Sequence, residues 1–151
     1  MKLSTKGRYG ARAMLDLALH YNVNEGPVAL GSIAERQNIS EEYLEQIFSS
    51  LRKSGIVESV RGAQGGYKLG RSADKITIGD ILRVLEGSLA PVDCVVEGKP
   101  QVCDRYDDCV LSGVWIKLRD AINEAVDSFT LADLMLEEHS RQKTGDFMYY
   151  I

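Results

Sequence analysis

The spacing of apolar residues predicts a mainly α-helical chain with one small β-hairpin and a long amphipathic helix beyond it. Three observations carry this reading. Apolar residues recur at intervals of three and four from Tyr9 to Leu51, with two interruptions. A period-two run, Ile56-Val57-Glu58-Ser59-Val60, leads into the glycine-rich Arg61-Gly62-Ala63-Gln64-Gly65-Gly66 and a second short run, Tyr67-Lys68-Leu69. From Leu111 a wide stripe of Val114, Trp115, Leu118, Ala121, Ile122, Ala125, Val126 and Phe129 marks the long helix.

The elements follow from their boundary residues. Ser4 and Thr5 are N-cap types ahead of Tyr9, Ala13, Met14, Leu17, Ala18 and Tyr21. Asn22 to Pro27 interrupts that helix, and a short one follows through Leu30, Ile33 and Ala34, ending near Gln37-Asn38. Ser40 caps a third helix over about 41–53, which turns Tyr43, Leu44, Ile47, Phe48 and Leu51 inward and stops at Gly55. Thr77 caps a fourth, carrying Ile78, Ile81, Leu82 and Leu85. Gly87 to Pro91 links it to a loop, and Thr130 caps a short helix with Leu131, Leu134 and Met135. Trp115 and the stripe from Leu111 to Phe129 are read as core, broad enough to support contact with a second copy.

A chain of 151 residues suits one compact domain, or a small domain with an oligomerising extension. Its polar start, MKLSTKGRYG, has no apolar signal region, so a cytoplasmic protein is expected. The net charge of −4 is unevenly spread. Residues 1–75 hold 11 Lys and Arg against 8 Asp and Glu, whereas residues 76–151 hold 7 against 14. A basic front half suits a phosphate-binding surface.

Helix, helix, tight turn, helix and hairpin is the order of a winged helix-turn-helix, whose second turn-helix enters the major groove. The third helix leaves Glu41, Glu42, Glu45, Gln46, Ser49, Ser50 and Arg52 outward. Carboxylates there repel phosphates and make sense as base readers, since Glu accepts from cytosine and Gln bonds adenine. Arg61 at the hairpin tip suits a narrow minor groove. Lys6, Arg8, Arg12 and Lys68 are candidate phosphate contacts. The competing reading, a helical domain with an incidental hairpin, does not explain a glycine-rich wing flanked by Arg61 and Tyr67. RGAQGGY lacks the Lys-Ser/Thr ending of a phosphate loop, and no nucleophile–base pair is evident, so an enzyme is not expected.

The segments MKLSTKGRYGARAMLDLA, ISEEYLEQIFSSLRKSGIVESVRGAQGGYKLG and ITIGDILRVLEG resemble the bacterial winged helix-turn-helix regulator family of IscR, NsrR and CymR. The likeness spans essentially the whole chain. It implies a DNA-binding domain over 1–86, with the helix-turn-helix at about 30–53 and the wing at about 56–69. It also implies a homodimer formed through a helix at about 110–129, on a palindromic operator. The expected DNA-facing set is Ser40, Glu41, Tyr43, Glu45, Gln46, Arg52 and Arg61, with Lys6 and Arg8.

All three cysteines, Cys94, Cys103 and Cys109, fall in the acidic stretch DCVVEGKPQVCDRYDDC, within a loop expected over 87–109. Soft, anionic thiolates suit iron. The resemblance implies that the loop is a sensor holding a 2Fe–2S cluster. Some relatives place histidine three residues after the last cysteine, where Ser112 stands here; others use a partner carboxylate at the position of Arg8. The fourth ligand is open among Asp93, Glu97, Asp104, Asp107, Asp108, Ser112 and a small molecule. His20 and His139 are read as surface or packing residues. A thiol-redox switch is the main alternative, with zinc behind both, and burial of the thiols is set aside because the loop is so polar.

The part from ILRVLEG onward, and the terminal FMYYI, resemble the CymR branch, which can act without cluster cysteines by binding the enzyme that makes cysteine. The expected function is therefore a repressor or dual regulator of iron–sulfur cluster assembly or cysteine and sulfur metabolism genes. The alternative is a repressor under thiol-redox or partner-enzyme control. Residues 110–140 are expected to hold the dimerisation helix and the short helix, and 141–151 an aromatic tail packed on the dimer.

Overall fold

The structure, a computed structural model, describes residues 2–22, 24–99 and 103–148, the side chains of 146–148 excepted. α1 (Thr5–His20) starts where the Ser4 hydroxyl accepts the Gly7 amide at 3.1 Å. α2 (Leu30–Gln37) ends in Asn38, whose φ of 54° is a left-handed conformation that Asn tolerates. α3 (Glu41–Lys53) is capped by the Ser40 hydroxyl, which accepts the Tyr43 amide at 3.3 Å. β1 (Val57–Val60) and β2 (Gly66–Leu69) pair antiparallel, with Val57 opposite Leu69 and Val60 opposite Gly66. α4 (Ile78–Glu86) opens with a reciprocal capping box between Thr77 and Asp80. Beyond it lie single 3-10 turns at Asp93–Val95 and Tyr106–Asp108, then α5 (Ser112–Asp127) and α6 (Leu131–Met148). No helix is long and apolar enough to cross a membrane among the described residues.

The core lies under the helix-turn-helix. Met14, Leu17, Ile33, Leu44, Phe48 and Ile81 are fully buried in it. α1 carries glycine where it meets α4, and the ends of two α4 side chains fill the space. A β-carbon on Gly7 would lie 2.1 Å from Glu86 Oε1, and one on Gly10 would lie 2.1 Å from Leu85 Cδ1. Glu86 also accepts the Ser4 amide at 3.0 Å, so the end of α4 holds the start of α1.

One buried carboxylate ties α1 to α2. Asp16, only 3% exposed, accepts Arg36 Nε at 3.1 Å, Arg36 Nη2 at 2.7 Å and Gln37 Nε2 at 2.8 Å. Its hydrogen bond raises the Arg36 pKa against the desolvation that would lower it. Periodicity places Asp16 on a helix but cannot reveal partners about twenty residues away.

The C-terminal part differs from expectation in three ways. α6 is an 18-residue helix rather than a short one, so Phe147 and Met148 belong to it; Tyr149, Tyr150 and Ile151 lie outside the described residues. Reciprocal bonds between Thr130 and Asp133 start it, and the pairs Glu137–Arg141 and Glu138–Gln142 continue along it. Its first residue, Leu131, is fully buried in the same core as Met14. Two backbone bonds of 2.9 Å, Ile78 to Phe129 and Leu131 to Ile76, hold that junction. Finally, among the described residues none on α5 is buried, and Trp115 is half-buried. Read as core, the α5 stripe finds no core within one chain.

Two expectations for stability follow. Asp16→Ala should cost about 2–3 kcal/mol in urea unfolding, since it removes charge-assisted bonds whose donors can partly rehydrate; a loss below about 0.5 kcal/mol would show that the network is ornamental. For Asp80, burial raises the pKa, but the Thr77 backbone and hydroxyl and the Arg71 guanidinium outweigh it, so it lies below the usual 3.8. A carboxyl depressed on folding stabilises above its unfolded pKa, and that stability is lost as pH falls through the folded value. Asp80→Asn should therefore show a shallower loss of stability than wild type below about pH 4. Parallel acid limbs would place the effect elsewhere.

Candidate nucleic-acid interface and cysteine loop

α3 buries Leu44, Ile47, Phe48 and Leu51 and leaves Glu41, Glu42, Glu45, Gln46 and Arg52 exposed, as does its cap Ser40. Ser49 and Ser50 are half-buried. Tyr43 is half-buried because its ring meets Tyr9 edge to face, with centroids 6.1 Å apart. Arg61, Ala63 and Gln64 are exposed at the wing tip. The wing is anchored from beneath. Tyr67 packs edge-on against Phe48 at 4.9 Å and exchanges two 2.8 Å backbone bonds with Val28. Just past β2, Arg71 donates to the Lys75 carbonyl at 2.8 Å and to Asp80 at 2.9 Å.

The four candidate phosphate contacts separate into two kinds. Arg8 is exposed and donates only loosely to Thr5, at 3.3 Å, while Lys6 is half-buried. Lys68 pairs with Glu58 at 3.1 Å across the wing, and this bond raises its pKa. Arg12 donates to the Gln37 carbonyl at 2.8 Å and to its amide oxygen at 3.3 Å. The structure thus holds Lys68 and Arg12 in internal bonds that sequence reading did not foresee.

The cysteine loop is fastened to α5 at its first turn. Val95 is buried, and its carbonyl accepts Arg119 Nη1 at 3.0 Å; Arg119, whose side chain is 18% exposed, also lies 3.8 Å from Glu97. Cys94 and Cys109 are half-buried and Cys103 is exposed, and all three are free thiols. The Ser112 hydroxyl donates to the Cys109 carbonyl at 2.7 Å, so this side chain serves the entrance of α5. His20 Nδ1 sits 2.8 Å from the Asp16 carbonyl, and His139 is exposed on α6.

Three thiols are a suitable donor set for a soft metal centre. Their placement is less so. Among the described residues, no three His, Cys, Asp or Glu side chains converge to hold a metal ion. Among the described residues the thiols are not gathered about one point, so holding a cluster would require the loop to bring them together.

A trihelical core with a two-stranded wing and an outward third helix defines a winged-helix regulator. The chain belongs to the Rrf2 family, described as an iron-dependent transcriptional regulator, whose profile matches residues 3–137. It is 46% identical to the HTH-type transcriptional regulator CymR of Bacillus subtilis, over the full length of both chains. It is 45% identical to the regulator IscR of Erwinia tasmaniensis over 135 residues, 89% of this chain and 79% of that one. The solved structure of CymR from B. subtilis superposes with a TM-score of 0.73 at 48% identity, covering 91% of this chain and 98% of the other. That of T. potens IscR gives 0.73 at 50% identity, covering 94% and 91%. The homologues are transcriptional regulators, and the family is not one of enzymes.

The clasp on the loop is testable. Arg119→Ala should raise the rate at which Cys94 reacts with a disulfide reagent by about fivefold, the equivalent of one lost hydrogen bond of about 1 kcal/mol. An unchanged rate would show that Arg119 does not restrain the loop.

Proposed function

We propose that the chain is a DNA-binding transcriptional regulator that acts as a twofold dimer and takes its signal at the cysteine loop. The observation that carries the reading is the exposed face of α3, with Glu41, Glu45, Gln46 and Arg52, on the same domain as an exposed wing arginine, Arg61. Acidic and amide side chains there read bases, while Arg61 enters the minor groove and Lys6 and Arg8 take phosphates. The dimer is supported by unburied apolar side chains: Val110 is 91% exposed, and Leu111, Val114 and Leu118 are all exposed. Val114 and Leu118, with Leu111 just before the helix, share one side of α5, a face that water disfavours and a second copy covers. A twofold dimer reads a palindromic operator.

For the signal, three thiols on one loop, in a chain similar to IscR proteins, support a 2Fe–2S cluster on Cys94, Cys103 and Cys109. The genes controlled on this reading are those of cluster assembly or of cysteine and sulfur metabolism. Gathering the thiols repacks a loop clasped to α5, and an equilibrium that differs between loop states appears as a difference in DNA affinity. A second reading has its own support. The chain matches along its whole length a relative whose solved structure is described as that of the global cysteine regulator of B. subtilis. On that reading the chain is a repressor under thiol-redox or partner-enzyme control.

Anaerobic purification followed by selection from a randomised duplex pool tests both. The first reading expects a brown protein with about two irons per chain that enriches a palindrome. A colourless protein with three titratable thiols that still enriches a palindrome selects the second. A protein that enriches no sequence overturns the regulator reading itself.

A further inference from the structure

Arg12 has the charge and exposure of a phosphate contact, yet its bonds point inward. Its Nη2 donates to the carbonyl of Gln37, the last residue of α2, at 2.8 Å, and its Nε donates to the Gln37 amide oxygen at 3.3 Å. Carbonyls in the last turn of a helix have no partner within it, and a cation there also meets the negative end of the helix dipole. The Gln37 side chain is itself oriented, because its amide nitrogen donates to buried Asp16 at 2.8 Å. Beyond this, the guanidinium carbon lies 5.4 Å from the centre of the Tyr9 ring, within cation–π range. Tyr9 in turn meets Tyr43 edge to face, at an interplanar angle of 78°. Arg12 therefore touches both the end of α2, immediately before the tight turn, and the aromatic pair that seats the first turn of α3.

We propose that Arg12 is a positioning residue for operator reading: it sets the α2–α3 turn and the Tyr43 ring, and it does not neutralise a phosphate. The inference rests on the DNA-binding reading above. Lysine cannot replace arginine in this role, because a point ammonium lacks the planar fork that reaches two oxygens of Gln37 while its charge stays beside the Tyr9 ring. A phosphate contact, by contrast, tolerates lysine.

The test uses full-length protein, the duplex that wild type enriches from a randomised pool, and a scrambled duplex of the same length and composition. Affinities are measured across a series of salt concentrations for wild type, Arg12→Lys, Arg12→Ala and Tyr9→Leu, with thermal melts confirming that each variant is folded. For Arg12→Lys the proposal expects about tenfold weaker binding to the selected duplex, within the range of one lost base-reading interaction. It expects unchanged binding to the scrambled duplex and an unchanged slope of log affinity against log salt. Tyr9→Leu, which alters no charge, should give the same pattern. The proposal is overturned if Arg12→Lys binds both duplexes as wild type does. It is equally overturned if Arg12→Ala weakens both alike and lowers the salt slope by about 0.9, the signature of one lost phosphate contact. If wild type selects no duplex, the regulator reading fails instead, so the two failures are distinguishable.

Discussion

The position of α3 depends on the core that α1 and α4 build beneath it. Glycine at positions 7 and 10 lets Glu86 and Leu85 occupy space that any β-carbon would take. With that contact made, Ala13, Met14 and Leu17 are fully buried. Leu44, Ile47 and Phe48 then have a floor to rest on, and their burial turns the opposite side of α3 outward. α3 has a strong apolar face of its own, but a short helix owes most of its stability to the packing of that face. The position of the exposed face of α3 is thus tied to the crossing of α1 and α4, against which Ile47 packs.

Polar side chains refine this packing from two sides. On one, Asp16 gathers Arg36 and Gln37, and Gln37 gathers Arg12. On the other, Asp127 on α5 bonds Arg83 on α4, Arg83 lies 3.9 Å from Asp80, and Asp80 bonds Arg71 at the exit of the wing. Exposed ion pairs contribute little stability. The value of those that cross between elements is geometric, since Arg83–Asp127 ties α4 to α5 and Arg71–Asp80 ties the exit of the wing to α4. The second series joins α5, the helix with an uncovered apolar face, to the base of the wing.

The cysteine loop sits beside that second series. Its first turn is held by buried Val95 and by the bond from Arg119, whereas Cys103 is exposed. One end of the loop is thus fastened to α5 and its other end leads straight into the same helix through Ser112. Chemistry at the thiols acts on a segment whose two ends both bear on α5. That is a reasonable place for an input, because a change in loop packing meets a helix rather than solvent.

Much of the fold was legible in the residues alone. Ser4, Ser40, Thr77 and Thr130 cap helices where their types and positions indicate, and the two runs about the glycine-rich tip pair as a hairpin. The outward set on α3 and the exposed Arg61 were legible too, because a helical period sorts residues into faces without knowledge of what they face. The length of α6 was not, nor the return of Leu131 to the first core, nor the bonds that Arg12 makes to Gln37 and Lys68 to Glu58. Caps and periods act within a few residues and are written locally. Which carboxylate an arginine meets, whether thiols converge, and which apolar face finds cover depend on residues brought together from far along the chain. The sequence by itself determined the elements, their order and the identity of the three thiols. Only the tertiary structure decided what each charged side chain is bonded to, and that the apolar face of α5 stays open.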